Sequence, residues 1–153
     1  MDQPTHGSGE MSRAKHLNRD PISNSFIGPN EIFVIDLLST AIAIYCYLLC
    51  CEDRKTYTCY PSFRAIGKAV GVTKKTVEKY VRELEEKRLI ETKRTHMAAK
   101  DGKILNGNLE YHILPIQEAL SYYHENKIHE FAAEQKRTEQ RKMFRDYYLD
   151  KAG

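Results

Sequence analysis

The sequence lacks most of the features that mark enzymes, membrane proteins and secreted proteins. It has no glycine-rich phosphate loop, no nucleophile beside a base and no carboxylate pair in an apolar setting, so an enzyme is not expected. Its longest apolar run, residues 32–51, is interrupted by Asp36, Ser39 and Thr40 and does not suit a membrane span. The first 21 residues lack the apolar centre of a secretory signal. The simplest expectation is a cytoplasmic protein without a membrane partner.

The cysteines and histidines do not have the spacing of metal ligands. The four cysteines are Cys46, Cys50, Cys51 and Cys59. They do not form two separated pairs, and His124 and His129 would not share a helical face. We therefore expect reduced and buried cysteines, no metal and no cofactor. A thiol switch through Cys46 and Cys50 is the alternative, although no basic residue nearby would favour the thiolate.

The positive charge is concentrated in the middle of the chain. Residues 1–56 carry 5 Lys and Arg against 7 Asp and Glu, residues 57–114 carry 12 against 7, and residues 115–153 carry 7 against 7. The whole excess of this +3 chain therefore lies in residues 57–114. Binding to a phosphate backbone requires such a concentration, although a solvated lysine-rich face would give the same count.

Residues 62–90, SFRAIGKAVGVTKKTVEKYVRELEEKRLI, contain two helical patterns joined at a glycine. Ser62 is placed to cap the first pattern, whose apolar residues recur every three or four positions. That helix must end at Gly71, which takes a left-handed backbone conformation without steric cost, and Gly67 leaves room for a close crossing. The spacing predicts a tight turn between two short helices.

The second pattern begins at Thr73, a favoured N-cap residue, with Val72 and Val77 at the spacing of a hydrophobic staple. The residues left outside on its first turns are mostly basic. They are Lys74, Lys75, Thr76, Lys79 and Arg82. This is the face that the second helix of a helix-turn-helix lays in the major groove of DNA, although any antiparallel helix pair can present a basic outer face. The helix N-termini at Ser62 and Thr73 add backbone N–H groups that suit phosphates.

Beyond Leu89 the apolar period changes from helical to alternating. Residues 90–95 and 109–114 alternate as strands, and Asp101-Gly102 and Asn106-Gly107 each offer a turn between them. We therefore expect a β-hairpin with a long tip. Its basic residues are Lys93, Arg94, His96, Lys100 and Lys103. They are placed to reach the sugar-phosphate backbone or a minor groove, or to be simply solvated.

The order of elements indicates a winged helix-turn-helix. Ser39 is placed to cap a helix that runs to about Cys51, and residues 57–60 are typical of a short strand. Helix, strand, helix, helix, strand, strand follow in order, with the hairpin as the wing. The predicted fold class is therefore mainly α with a small β-sheet (α+β). Residues 1–25 are expected to form a disordered tail, and residues 26–114 the DNA-binding domain.

Residues 115–153 are strongly helical in composition, with no Gly or Pro between Pro115 and Gly153. An apolar stripe over residues 116–123 predicts docking on the domain, and Phe144, Tyr147 and Tyr148 form a second cluster after a polar stretch. We expect a long C-terminal helix that docks, projects and joins a second copy in a homodimer. A frayed monomeric tail is the alternative.

Residues 59–90, CYPSFRAIGKAVGVTKKTVEKYVRELEEKRLI, follow AIYCYLLCCEDRKTYT and precede a segment LEYHILPIQEAL. Together these segments resemble winged helix-turn-helix proteins encoded by plasmids and other mobile elements of Gram-positive bacteria. They are similar in particular to the N-terminal DNA-binding domain of plasmid replication initiator proteins, over about residues 26–120. The resemblance implies a fold and double-stranded DNA as partner, and is less specific for the biological role.

Two functions remain open from the sequence. The first is a double-stranded DNA-binding protein, either a transcriptional regulator or a replication-associated factor of a mobile element. The second is a winged-helix protein–protein interaction module that works through its C-terminal helix.

Overall fold

Four α-helices and a three-stranded sheet make up residues 25–153, the part of the chain that the computed structural model describes. After a 3-10 helix at Asn30–Phe33, the elements are α1 (Ser39–Cys51), β1 (Thr58–Cys59), α2 (Phe63–Val70), α3 (Lys74–Glu86), β2 (Ile90–Ala98), β3 (Ile104–Ile113) and α4 (Ile116–Lys151). The predicted α+β winged helix-turn-helix with a long C-terminal helix is confirmed. The predicted disordered tail lies outside the described residues, apart from Ser25.

Helix α1 is buried along one side and forms the centre of the helical layer. Its fully buried residues include Ile44, Tyr45 and Leu48. The predicted cap at Ser39 was wrong, because Leu38 occupies the N-cap position without any side-chain hydrogen bond and Ser39 is already helical. The burial of apolar side chains therefore determines where this helix lies, and side-chain capping contributes nothing to its start.

Both predicted caps of the helix-turn-helix are formed. The backbone N–H of Ala65 donates to Ser62 Oγ at 3.0 Å, and the N–H of Thr76 donates to Thr73 Oγ1 at 3.2 Å. Each cap satisfies one of the backbone donors that a helix leaves unpaired at its start. The starts of α2 and α3 are thus fixed by short side chains that the sequence places there.

Two glycines make the turn between α2 and α3 possible. Gly71 ends α2 in the left-handed region, with φ of 82°. A Cβ atom on Gly67 would lie 2.6 Å from the carbonyl oxygen of Val72, closer than such atoms can approach. The missing side chain at Gly67 therefore lets the turn close against α2. The backbone that approaches Gly67 most closely is that of Val72 in the turn.

The sheet has the order β1-β3-β2 and is antiparallel throughout. Strands β2 and β3 pair from Ile90 with Ile113 to Ala98 with Ile104, with one irregularity between Arg94 and His96. The predicted long tip was wrong, because only residues 99–103 connect the two strands. Asn106-Gly107 lies inside β3 and forms no turn. The distal half of the wing is exposed on both faces, so no apolar alternation marked it as strand.

One apolar core joins the helices to the sheet. The core contains the buried side of α1 together with completely buried residues of three other elements. These are Ile66 of α2, Val77 and Leu84 of α3, and Tyr111 of β3. Helix α3 ends at Glu86. Arg88, two residues later, takes a left-handed conformation with φ of 58°, which glycine often provides at this position after a helix. The helical pair and the wing are therefore held at fixed positions on a common core.

Helix α4 docks through its first turns and then projects. Ala119 is buried, the Arg88 guanidinium lies 4.9 Å from the centre of the Tyr122 ring, and Lys127 Nζ lies 3.0 Å from Asp36 Oδ2. Every residue from 127 onward is exposed. The 36 residues of α4 span about 54 Å, and roughly the last two thirds of that length are exposed. Within residues 25–153, no helix combines the length and apolar character of a membrane span.

Candidate nucleic-acid interface

Helix α3 presents a basic face because its apolar side chains are drawn into the core. Val77 and Val81 are buried, whereas Lys74, Lys75 and Lys79 are exposed. Arg82, one turn further on, is exposed as well. The side chains that the sequence assigned to the outer face of the second helix therefore lie there, except that Thr76 is half-buried.

The half-buried position of Thr76 follows from the cap. Its backbone N–H donates to Thr73 Oγ1, and the two hydroxyl oxygens lie 2.9 Å apart, within hydrogen-bond distance. The Thr76 hydroxyl is therefore engaged at the start of α3, while Thr73 itself remains exposed. This pairing makes Thr76 a structural part of the helix start more than a free group for ligand contact.

Two of the basic side chains on α3 already have neighbours on the same helix. Arg82 Nη2 lies 2.7 Å from Glu78 Oε1, and Lys79 Nζ lies 5.3 Å from the centre of the Tyr80 ring. Exposed ion pairs of this kind contribute about 0–1 kcal/mol, because solvent screens them. Either cation can therefore leave its neighbour for a phosphate at small cost.

A groove joins the start of α2, the start of α3 and the wing. It has a volume of about 240 Å³, and its polar lining residues are Ser62, Arg64, Lys74 and Asn108. Asn108 Nδ2 donates to the carbonyl oxygen of Tyr60 at 3.1 Å, which ties β3 to the segment before α2. The groove thus brings two sequence-predicted residues, Ser62 and Lys74, together at one positive surface.

Arg64 and Asn108 were missed by the sequence reasoning. Arg64 stands two residues after the Ser62 cap, on the exposed side of the first turn of α2. That position is itself a signal, because cations and backbone N–H groups near a helix start act on the same anion. Asn108 had no comparable signal, because only the pairing of the wing brings it beside the helices.

The register of the wing separates its cations by face. Arg94 is opposite Leu109, and Lys93 is opposite Glu110. Paired residues of antiparallel strands point to the same face, so Arg94 shares the face of Leu109, which lines the groove. Lys93 points to the other face, where the Tyr60 hydroxyl donates to Glu110 Oε2 at 2.8 Å. Arg94 therefore lies on the face of the wing that borders the groove, and Lys93 lies on the opposite face.

The remaining wing cations lie at its far end. Lys100 and Lys103 belong to the connecting loop, and Lys103 Nζ lies 3.6 Å from Asp101 Oδ2. Strands of nine and ten residues carry this loop about 30 Å from the base of the wing. Met97 and Leu105, which are paired across the strands, are exposed near the same end. The tip is thus a separate basic and apolar surface beyond the groove.

Of the four cysteines, Cys59 is buried and Cys46 is half-buried, whereas Cys50 and Cys51 are exposed, so the expectation of buried cysteines was wrong for these two. Burial raises the pKa of the Cys59 thiol to about 12, and Cys59 Sγ donates to the carbonyl oxygen of Leu48 at 3.7 Å. Burial also raises the pKa values of Cys46 and Cys50, which disfavours the reactive thiolate at both. No set of three His, Cys, Asp or Glu side chains within residues 25–153 could hold a metal ion.

Comparison with known proteins supports the helix-turn-helix. A family described as a helix-turn-helix domain matches residues 36–90, from just before α1 to the first residue of β2. No curated protein sequence matches the chain. A solved structure described as a possible transcriptional regulator from Methanosarcina mazei Go1 is 18% identical, with a TM-score of 0.45, and the alignment covers 75% of this chain and 98% of the other. A mutant of MepR from S. aureus is 17% identical, with a TM-score of 0.39 and 94% of each chain covered. The helix-turn-helix predicted from the sequence is thus confirmed by the family match over residues 36–90.

Proposed function

We propose that this protein is a transcriptional regulator that binds double-stranded DNA by placing α3 in the major groove. One observation carries the proposal. The capped start of α3, with exposed Lys74 and Lys75, opens on the same groove as the start of α2 and the inner face of the wing. Three elements thus present hydrogen-bond donors to one surface. Binding to duplex DNA requires such donors for the phosphates on either side of the groove that α3 enters.

The two parts of this surface have different roles in the proposal. Ser62, Arg64 and Lys74 lie together in the groove, where cations and helix N-termini neutralise and orient phosphates. Lys75 and Lys79, further out on α3, are left to reach base edges. Lysine gives a single donor group without the fork geometry of arginine, so we expect modest sequence discrimination and a strong dependence on salt.

The biological setting is a further part of the proposal. A role for this regulator in a mobile element, or as a replication-associated factor, is supported by the sequence resemblance over about residues 26–120. A cytoplasmic location agrees with both roles.

Duplex titrations at several salt concentrations test DNA binding. The double variant Lys74→Glu with Lys75→Glu should lower the affinity for duplex at least about tenfold and reduce the slope of log K against log salt by about two. The matched control is Lys136→Glu with Lys142→Glu, which makes the same change of charge on the exposed part of α4. The control should bind within about twofold of the natural protein.

Equal losses in both double variants would show that only net charge matters and would contradict the proposed surface. Affinity independent of salt would contradict phosphate contact altogether. Selection of duplexes from a random pool would then give the preferred sequence, and the spacing of half-sites would report whether two copies bind together.

A second function, protein–protein interaction through α4, is favoured by one specific observation. Phe144 and Tyr148 contact each other with ring centres 4.6 Å apart, and Tyr147 lies 5.6 Å from Tyr148, all on an exposed part of the helix. A homodimer is the simplest form of this interaction. Phe131, which is also exposed on α4, lies about 160° from Tyr147 around the helix axis, so one straight coiled-coil seam cannot bury both residues.

Light scattering distinguishes the two functions. If the aromatic cluster joins two copies, the triple variant Phe144→Ser, Tyr147→Ser and Tyr148→Ser should have half the mass of the natural protein. The variant should still bind duplex in the titration above, because none of the three residues lies near α3. A duplex affinity that is negligible in both proteins, with a partner lost only in the variant, would instead favour the interaction module.

A further inference from the structure

A cavity of about 480 Å³ lies where α4 leaves the sheet, apart from the basic groove. Its walls come from the C-terminal half of α1, the loop before β1, the end of β3 and the first turn of α4. The lining is mostly apolar and includes Tyr45, Leu49, Tyr57, Ile113 and Ile116. Cavities of this size and character are typical of small-molecule sites.

Glu52 gives the cavity a negative group with an unmet hydrogen-bonding need. Its Oε2 atom is buried and accepts no hydrogen bond from the described residues. Nearly all buried carboxylate oxygens have a partner, so this atom marks a place where a donor would be stabilised. Burial raises the pKa of Glu52, and the charge of Arg54 opposes that rise. The Arg54 guanidinium itself donates to the carbonyl oxygen of Ser25 at 3.1 Å.

Tyr57, at the edge of the cavity, has a strained backbone. Its φ of 57° lies in the left-handed region that non-glycine residues rarely adopt. The conformation is held by two hydrogen bonds, from Tyr57 N–H to Asp53 O at 2.7 Å and from Ile113 N–H to Tyr57 O at 2.9 Å. Such strain persists where the surroundings impose it, often at ligand sites. Here it sets an aromatic side chain into the wall of the cavity with Tyr45.

We propose that this cavity binds a small apolar amine, with its ammonium group on the Glu52 carboxylate and its hydrocarbon part against Leu49, Ile113 and Ile116. Aromatic rings beside a carboxylate form the combination that recognises organic cations. An uncharged ligand would offer this carboxylate only a weaker hydrogen bond, and an anion would be repelled by it. The proposal does not depend on DNA binding, and either can fail without the other.

An NMR titration of the full chain with matched probes tests the proposal. The probes are naphthylethylamine and naphthylethanol, which share one aromatic skeleton and differ in the charged group. We expect the amine to shift the amide signals of Glu52, Tyr57, Ile113 and Ile116, and to bind at least about tenfold more tightly than the alcohol. The variant Glu52→Gln should reduce this preference to less than about twofold, because it keeps the shape and removes the charge.

Two further variants make the result decisive. Glu83→Gln removes another half-buried carboxylate, which lies 3.4 Å from Lys87 Nζ outside the cavity, and it should keep the preference for the amine. Ile116→Trp fills the cavity and leaves Glu52 in place, so it should abolish binding of both probes. Far-UV circular dichroism and the melting temperature of each variant report whether it is folded.

Equal affinities of the natural protein for amine and alcohol would overturn the proposal, as would a preference that survives in Glu52→Gln. Amide shifts confined to the exposed part of α4, or binding that persists in folded Ile116→Trp, would place the amine elsewhere. Failure of the amine to bind at millimolar concentration would also overturn it.

Discussion

At the residue scale, the side chains on the basic face of α3 differ in whether they already have a partner within the protein, and this determines which of them are free to contact DNA. Thr76 is paired with Thr73, and Arg82 is paired with Glu78. Within residues 25–153, no carboxylate oxygen lies within 4.0 Å of the ammonium group of Lys74 or Lys75. Both lysines are exposed at the start of the helix, where its dipole adds positive potential. The Glu78–Arg82 pair has the i,i+4 spacing of helical ion pairs, whereas the pairing of the two threonine hydroxyls could not be obtained from spacing, because it depends on their rotamers.

Glu78 is the acidic residue closest to this face, and its removal should strengthen DNA binding. Glu78→Gln takes away one negative charge and frees Arg82 from a surface ion pair worth about 0–1 kcal/mol. We therefore expect duplex affinity to rise about two- to fivefold at low salt. Glu86→Gln, at the far end of α3, is the charge-matched control and should change the affinity less. An unchanged or lowered affinity in Glu78→Gln would place Arg82 and Glu78 outside the interface.

The four cysteines should separate by their reactivity toward a thiol reagent. Cys50 and Cys51 are exposed and should react first, and half-buried Cys46 should react more slowly. Cys59 is buried and its pKa is raised to about 12, so about one molecule in ten thousand carries the reactive thiolate at pH 8. Absorbance at pH 8 should therefore count three thiols in the native protein and four after addition of denaturant. Cys59→Ala should leave the native count unchanged; a fourth fast thiol would contradict the burial of Cys59.

At the element scale, the helix-turn-helix could be predicted because each of its features is local. Caps, a left-handed glycine and a small residue at the crossing are fixed by neighbours within a few positions. The wing was predicted less well, because its distal half has no buried face and its register depends on pairs of residues that lie 6 to 23 positions apart in the sequence. Asn106-Gly107 has the composition of a turn, yet strand pairing outweighs that local preference. The start of α1 was misplaced for a similar reason, since packing takes the role expected of a cap.

The two glycines of the turn should respond differently to substitution. Gly67→Ala puts a Cβ atom 2.6 Å from the Val72 backbone oxygen, and a backbone atom cannot rotate away, so we expect a loss of about 1–3 kcal/mol in the free energy of unfolding. Gly71→Ala meets no atom within 4 Å but forces a left-handed alanine, at about 1–2 kcal/mol. Urea unfolding curves monitored by circular dichroism measure both losses.

Asparagine separates the two causes. It adopts left-handed conformations more readily than alanine, so Gly71→Asn should recover part of the lost stability, whereas Gly67→Asn should be at least as damaging as Gly67→Ala. Equal behaviour of the two positions would mean that one of the two explanations is wrong.

At the scale of the whole molecule, charge and apolar surface lie on different parts of the chain. The basic surface occupies α2, α3 and the wing, and the exposed aromatic cluster lies at the far end of α4. The first could be expected from the excess of Lys and Arg in residues 57–114. The groove that joins the two helix starts to the wing could not, because it arises only when β3 packs beside α2. The cavity around Glu52 likewise requires four elements that are distant in the sequence.

The projecting part of α4 should not be needed for folding, but it should be needed for the association of two copies. Residues 131–153 are all exposed, so a chain ending at residue 130 loses no described core contact and should melt within a few degrees of the full chain. A chain ending at residue 118 also loses Ala119, which is 1% exposed, together with the rest of the docked turns, and should melt at a clearly lower temperature. If the aromatic cluster joins two copies, light scattering of the 130-residue chain should give the mass of a monomer. Its affinity for a single half-site should then match that of the full chain, while its affinity for two half-sites should fall, because only the dimer gains from binding both at once.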